Sequence, residues 1–203
     1  MESFFSPEQQ SQDIDSRIVS ALEKISEAFR ILFWDESKNH SLSPMQIQIL
    51  IFLHYHKDHD KKTITYLARE FNLTKATVSD SVKSLLAKKI LLKKNNISDK
   101  RSYYLELSSN GRNIAAKLSS YGLSFKEIVS GLSEARRSEL YHSLVMIIKH
   151  LYDRKIINVQ RMCFNCRYYN PLNDSGFYCK LLSMKLKYNN IRIDCPDHMP
   201  IAA

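Results

Sequence analysis

From Ile14 to Trp34, apolar residues fall at Ile14, Ile18, Ala21, Leu22, Ile25, Phe29, Leu32 and Phe33. That three-to-four spacing puts one apolar stripe along a helix. A second helix is predicted to open at Ser43, which can cap it, with Pro44 at the first helical position. Its body, Met45 to Tyr55, is apolar on several sides and is expected to be buried. Thr63 to Phe71 reads as a short helix, broken at Asn72-Leu73-Thr74, and Thr74 caps the next, Lys75 to Lys89. Leu67 and Ala68 on the first, with Val78, Val82, Leu85 and Leu86 on the second, form an apolar seam. Two short helices joined by three or four residues are the signature of a helix-turn-helix.

Beyond them the period changes. Ile90 to Lys94 reads as a strand, residues 95–100 carry turn chemistry, and Arg101 to Leu107 alternates as the return strand. Ser108 is placed to cap a long helix running to about Ser130, and Ser133 a last one from Glu134 to about Asn158. Residues 160–203 have a different composition, with all four cysteines and three of the five prolines. A turn is expected at Asn173 to Gly176 and a short helix around Lys180 to Lys187. Four glycines in 203 residues leave little room for a turn-rich fold. The expected class is mainly α: a winged helix-turn-helix between long N- and C-terminal helices, followed by a small Cys-rich extension. The boundaries are drawn at 1–40, 41–108, 109–158 and 159–203.

Charge sharpens this picture. Lys61 to Arg101 holds 11 Lys or Arg against 3 Asp or Glu, a net +8 of the whole chain's +9. Residues 1–60 are acidic, with 5 basic and 10 acidic side chains. A basic stretch confined to a helix and a hairpin is the electrostatic footprint of a polyanion binder. The second helix of a helix-turn-helix enters the major groove with its N-terminal residues toward base edges. Those residues here are Thr74, Lys75, Ala76, Thr77, Ser79 and Asp80, with Lys83 one turn on. The methyls of Ala76 and Thr77 can touch thymine, and Asp80 either accepts from cytosine N4 or is a plain surface acid. Lys88, Lys89, Lys93 and Lys94 are expected near phosphates.

Three stretches, LSPMQIQIL, ITYLAREFNLTKATVSDSVKSLLAKKILLKK and SDKRSYYLELSSNGR, together resemble the MarR family of winged-helix transcriptional regulators. The resemblance covers roughly Ile14 to Asn158, and Asp99-Lys100-Arg101 is its most specific element. It implies that Arg101 enters the minor groove and that Asp99 holds its side chain. It also implies a homodimer knitted by the first and last helices, a double-stranded DNA partner, and a small-molecule effector bound between the lobes. Phe29, Phe33, Trp34, His54 and Tyr55 would line such a pocket or simply pack as core. One departure is Ile90, near the point where the family has Gly after the recognition helix.

The tail spacing is C-x2-C-x12-C-x15-C, formed by Cys163, Cys166, Cys179 and Cys195. Four thiolates complete a tetrahedral metal site. About 40 residues are too few to fold well on apolar burial alone, so a metal staple makes physical sense. Zinc is the leading metal; an iron–sulfur cluster is the alternative, since Cys195 precedes Pro196. Free thiols or disulfides remain a third state, and His198 is a substitute ligand. His54, His56 and His59 do not share one helix face, so no metal site is expected there.

No Gly-rich phosphate loop, HExxH or GxSxG occurs, which argues against an enzyme. The N-terminus has neither a basic nor an apolar signal region, and no run nears the ~20 apolar residues that cross a bilayer. A cytoplasmic protein without membrane attachment is expected. Two alternatives to a plain regulator are open: a redox or metal sensor whose tail controls DNA binding, and a winged helix serving as a protein-interaction module.

Overall fold

A computed structural model describes residues 5–95, 103–158, 161–172 and 176–201. Its helices and strands follow in the order α1 (Pro7–Gln12), α2 (Ile14–His40), α3 (Pro44–Tyr55), α4 (Ile64–Glu70), α5 (Lys75–Ala87), β1 (Leu91–Asn95), β2 (Tyr103–Leu107), α6 (Ser109–Leu118), α7 (Leu123–Ser130), α8 (Glu134–Asp153), β3 (Tyr169–Leu172), β4 (Gly176–Cys179) and β5 (Met184–Leu186). Strands β1 and β2 pair as the wing, and β3, β4 and β5 form a second, antiparallel sheet in that order. The chain divides into two compact units, one of Met1–Lys57, Ser81–Lys94 and Leu105–Tyr121, the other of Asp58–Asp80, Asn95–Tyr104 and Gly122–Ala203. No described helix is long and apolar enough to cross a membrane.

In the first unit, the Asp13 carboxylate accepts from the N–H groups of Asp15 and Ser16 and starts α2. The helix runs to His40, six residues past the apolar stripe, because neither Gly nor Pro intervenes before Pro44. Lys88 donates to the carbonyl of Ser41 at 2.5 Å, placing a cation at the C-terminus of α2. Ser43 and Gln46 cap α3 reciprocally. As its all-round apolar character demands, α3 buries Ile47, Ile49, Leu50, Phe52 and Leu53, packing against α2 and α6.

The departure at Ile90 is resolved one residue earlier. Lys89 takes a left-handed backbone, φ 55°, and its N–H and that of Ile90 close onto Leu86 and Leu85. The cap the family makes with Gly is thus made by an exposed Lys, which strains an L residue by about 1 kcal/mol. Lys89→Gly is therefore expected to raise the urea midpoint by a stability gain of a few tenths to about 1 kcal/mol, part of the relief being lost to glycine's greater unfolded freedom. A lower midpoint would contradict the strain argument.

In the second unit, Thr63 caps α4 through the Tyr66 N–H. Asn72, at φ 54°, makes the turn toward α5, a helix that starts in this unit and ends in the other. Three expectations are corrected here and at its border. The long helix after Ser108 is two helices, because the Ser119 and Ser120 hydroxyls bond back to the carbonyls of Ala115 and Lys117 and Gly122 follows. Helix α8 stops at Asp153, where Lys155 turns left-handed at φ 59°. Lys180 to Lys187 is not a helix: Ser183 (φ 50°) turns the chain, and Met184–Leu186 returns as a strand paired with Phe177 to Cys179. The turn expected at Asn173 to Gly176 falls mostly outside the described residues.

The tail packs on α8. Met162, Leu186 and Ile191 are buried together with Val145 of α8, and Tyr141, Ile148, Phe164, Tyr169 and Phe177 pack around them. The Tyr141 hydroxyl donates to the carbonyl of Ile191 at 2.6 Å. One face of α8 is thus committed to the extension, which supplies apolar area that the tail's own length could not.

Candidate functional site

The opening of α5 carries the expected groove-facing set. Thr74, Lys75, Ala76, Thr77, Asp80 and Lys83 are exposed and Ser79 is half-buried, while Val78, Val82 and Leu85 turn inward and are buried. This division follows from the helical period: polar positions fill the face that the apolar seam leaves outward. Thr74 serves first as the cap, accepting the Thr77 N–H at 3.1 Å, with the two hydroxyls 2.8 Å apart. Lys93 and Lys94 on β1 are exposed. Asp99, Lys100 and Arg101 lie outside the described residues.

None of the five aromatic positions assigned to a pocket or to the core is fully buried. Phe29, Phe33 and His54 are half-buried, and Trp34 and Tyr55 are exposed. Phe33 packs on Tyr121 at 4.4 Å, and Trp34 lines an open groove with Arg30, Ile31, Asp35 and Lys38. The three histidines are engaged separately, His56 on Phe52, His54 on Tyr55 and His59 on Tyr104.

Cys163, Cys166, Cys179 and Cys195 line a single cavity with Leu186 and Arg192, and all four are free thiols. They arrive from four places: a 3-10 turn, the residue after it, the end of β4 and the loop before Pro196. The Arg192 N–H donates to Cys163 Sγ at 3.2 Å, and the Cys163 N–H donates to the Arg192 carbonyl. Burial pushes the Cys163 thiol up, the Arg192 N–H opposes it, and Cys195, Cys166 and Cys179 push it further. The other three thiols thus lie within electrostatic reach of Cys163. Among the described residues, no group of three or more His, Cys, Asp or Glu converges closely enough to be read as a formed metal site. The donor set is nonetheless the one a tetrahedral soft-metal site needs. His198 is not a spare ligand through Nε2, which lies 2.8 and 3.1 Å from the side-chain and main-chain oxygens of Asn165.

One residue escaped the sequence reading. The guanidinium of Arg161 is only 5% exposed and meets two carboxylates. It donates to Glu70 at 2.6 and 2.8 Å, to Asp194 at 2.6 and 3.3 Å, and to the Tyr66 hydroxyl at 2.9 Å. Glu70 ends α4, and Asp194 precedes Cys195. The only hint in the sequence is an Arg two residues before the C-x-x-C pair; its partner 91 positions upstream leaves no spacing signal.

Residues 40–102 match the MarR family. The fold is the winged helix of MarR regulators. A DNA complex of S. aureus MepR superposes with a TM-score of 0.58 at 21% identity, covering 66% of this chain and 97% of that one. MepR in its DNA-binding conformation gives 0.58 at 20% identity, over 66% and 98% of the two chains. A MarR regulator from Methanosarcina mazei Go1 gives 0.55 at 18%, over 69% and 98%. About a third of this chain therefore has no counterpart in them. No curated protein matches the chain significantly.

Proposed function

We propose that this chain is a sequence-specific, DNA-binding transcriptional regulator that works as a homodimer and holds a zinc ion on the four cysteines of its tail. MarR regulators are DNA-binding proteins rather than enzymes. The observation that carries the reading is the exposed opening of α5, with Lys75, Thr77, Asp80 and Lys83 outward on a helix whose other side is core. Lys75 and Lys83 reach phosphates, Ala76 and Thr77 meet thymine methyls, and Thr74, Ser79 and Asp80 complete the groove-facing surface. By the resemblance, Arg101 is assigned to a narrow minor groove, with Asp99 to hold its side chain and Lys100 between them in sequence.

Dimerisation is supported by α2. None of its 27 residues is buried within one chain. Along one side of it Ile14, Ile18 and Ile25 are all more than 40% exposed, and Val19, Ile31 and Trp34 add exposed apolar area on its other sides. A long helix with an uncovered apolar stripe needs a partner, and a second copy supplies the same stripe. The zinc reading rests on four free sulfur donors around one cavity, the set that zinc takes in structural sites.

The test begins with duplexes enriched from a random pool by the full-length protein, then titrated by fluorescence anisotropy. Arg101→Ala is expected to weaken the selected duplex by roughly 1–3 kcal/mol, the scale of a single specific groove contact. Lys75→Ala is expected to weaken all duplexes alike and to lower the salt slope by about one. Enrichment of no duplex at about 100 mM salt, where even nonspecific binders hold DNA, would sink the reading.

A further inference from the structure

We propose that the cysteine centre of the tail governs DNA binding through Arg161, so that loading with a zinc-type divalent cation fixes helix α4 and the turn into α5. This rests on the zinc and DNA-binding readings above. Every group on the path from the thiols to Asn72 lies in one compact unit.

The path starts at the thiols. Residues 161–163 and 192–195 run side by side: the Cys195 N–H donates to the carbonyl of Arg161 at 2.9 Å, and the Cys163 N–H to that of Arg192 at 3.0 Å. Cys163 is on one segment and Cys195 on the other, so an ion bound by both locks the two together. Arg161 stands at the end of this pair, its side chain turned to α4. Asp194, next to Cys195, is half-exposed and reaches Arg161 only while its segment stays in place.

Glu70 is the last residue of α4, five positions before α5 begins. Its carboxylate takes both terminal nitrogens of Arg161, a bidentate pair that fixes direction as well as distance. Tyr66, one turn earlier, is held by the same guanidinium. A second tie meets the turn itself. The Asn158 N–H donates to the Asn72 side chain at 2.8 Å, and Asn72 is the left-handed residue that aims α5. A helix-turn-helix reads DNA only when its second helix is presented at a set angle.

With the ion removed, the segment of Asp194 is held to that of Cys163 by its hydrogen bonds alone and separates from it more readily. A guanidinium this deeply buried tolerates poorly the loss of a carboxylate partner. It then either follows Asp194 outward and releases Glu70, or stays unbalanced beside α4. Either outcome moves the end of α4 and the turn. The coupling is reciprocal: DNA that selects the fixed arrangement also tightens the metal.

The experiment measures affinity for the enriched duplex with full-length protein, zinc-loaded and after zinc is stripped by a chelator that is then removed. The expected wild-type loss is roughly 5- to 150-fold, the usual range for allosteric coupling. Glu70→Gln, close in shape to the native residue, and Arg161→Met are each expected to keep one zinc per chain yet to show a loaded-to-stripped ratio near one. Zinc quantification on the same samples separates the failures. Unchanged wild-type affinity after confirmed stripping overturns the coupling alone, as does a full wild-type ratio in Glu70→Gln. A protein that holds no metal, or enriches no duplex, overturns the underlying reading and the coupling with it.

Discussion

Cys163→Ser, or removal of the metal by a chelator, is expected to cost the tail its fold. Cys163 is tied in through three atoms: its sulfur accepts the Arg192 N–H, its own N–H is taken by the Arg192 carbonyl, and its carbonyl accepts the Cys166 N–H. Serine keeps the backbone bonds but gives a poor zinc ligand in place of a thiolate. Binding to structural zinc sites is worth about 10–16 kcal/mol in small metal-folded peptides, where it is also the folding free energy. The buried apolar cluster of the extension is small: Met162, Leu186 and Ile191, resting on Val145 of α8. Limited proteolysis should therefore cut within residues 161–201 of the stripped protein. The cuts should come with exposure of Tyr141, Val145 and Ile148 on α8, since the tail covers that face. Elemental analysis of protein purified without oxygen should find one zinc per chain and no visible colour. Iron with a broad band near about 400 nm would replace zinc by a cluster on the same thiols. Metal-free protein with four titratable thiols and a protease-resistant tail would end the idea.

Gly111→Ala is expected to destabilise the winged helix itself. A Cβ at Gly111 would stand 2.2 Å from the backbone carbonyl oxygen of Ile90. That oxygen cannot swing aside as a side chain would, because it accepts the Ser108 N–H at 3.0 Å and so anchors the start of α6. Either α6 or the end of the α5 segment must shift. Overpacking of this kind costs about 1–3 kcal/mol, and a backbone obstacle places it at the upper end. For a chain of this size each kcal/mol lowers Tm by about 2–4 °C. Gly122→Ala is the control: a Cβ there meets nothing within 4 Å, and the residue's φ is an ordinary −87°. Calorimetry showing equal shifts for the two variants would refute the close-approach argument.

Much of the fold was legible because its signals are local. Ser43, Pro44 and Gln46 start α3 by capping chemistry within four residues. Thr63 and Thr74 do the same for the two helices of the helix-turn-helix. The division of α5 into exposed Lys75, Thr77 and Asp80 and buried Val78, Val82 and Leu85 follows directly from a period of 3.6. The four cysteines were legible as a set because their exclusive clustering in the tail is a statistical fact of the sequence. Where local signals compete, the sequence misleads. The Ser119-Ser120 pair turns its hydroxyls back onto the preceding carbonyls and ends α6, although the apolar period would carry it on. Lys180 to Lys187 has helix-forming residues, but its pairing with β4 is set by the hairpin and by the buried Leu186.

Long-range pairings carry no such local signal. A winged helix with a basic reading surface and a sulfur-rich tail can be written down from residue order alone. Residue order did not reveal that the tail would rest on α8, that Lys89 would take a glycine's conformation, or that Arg161 would join Glu70 to Asp194. A capping box or a helical stripe is encoded by neighbours a few residues apart. A buried ion pair spanning 91 residues depends on where two segments meet, and that meeting is settled by the sum of all the packing around it.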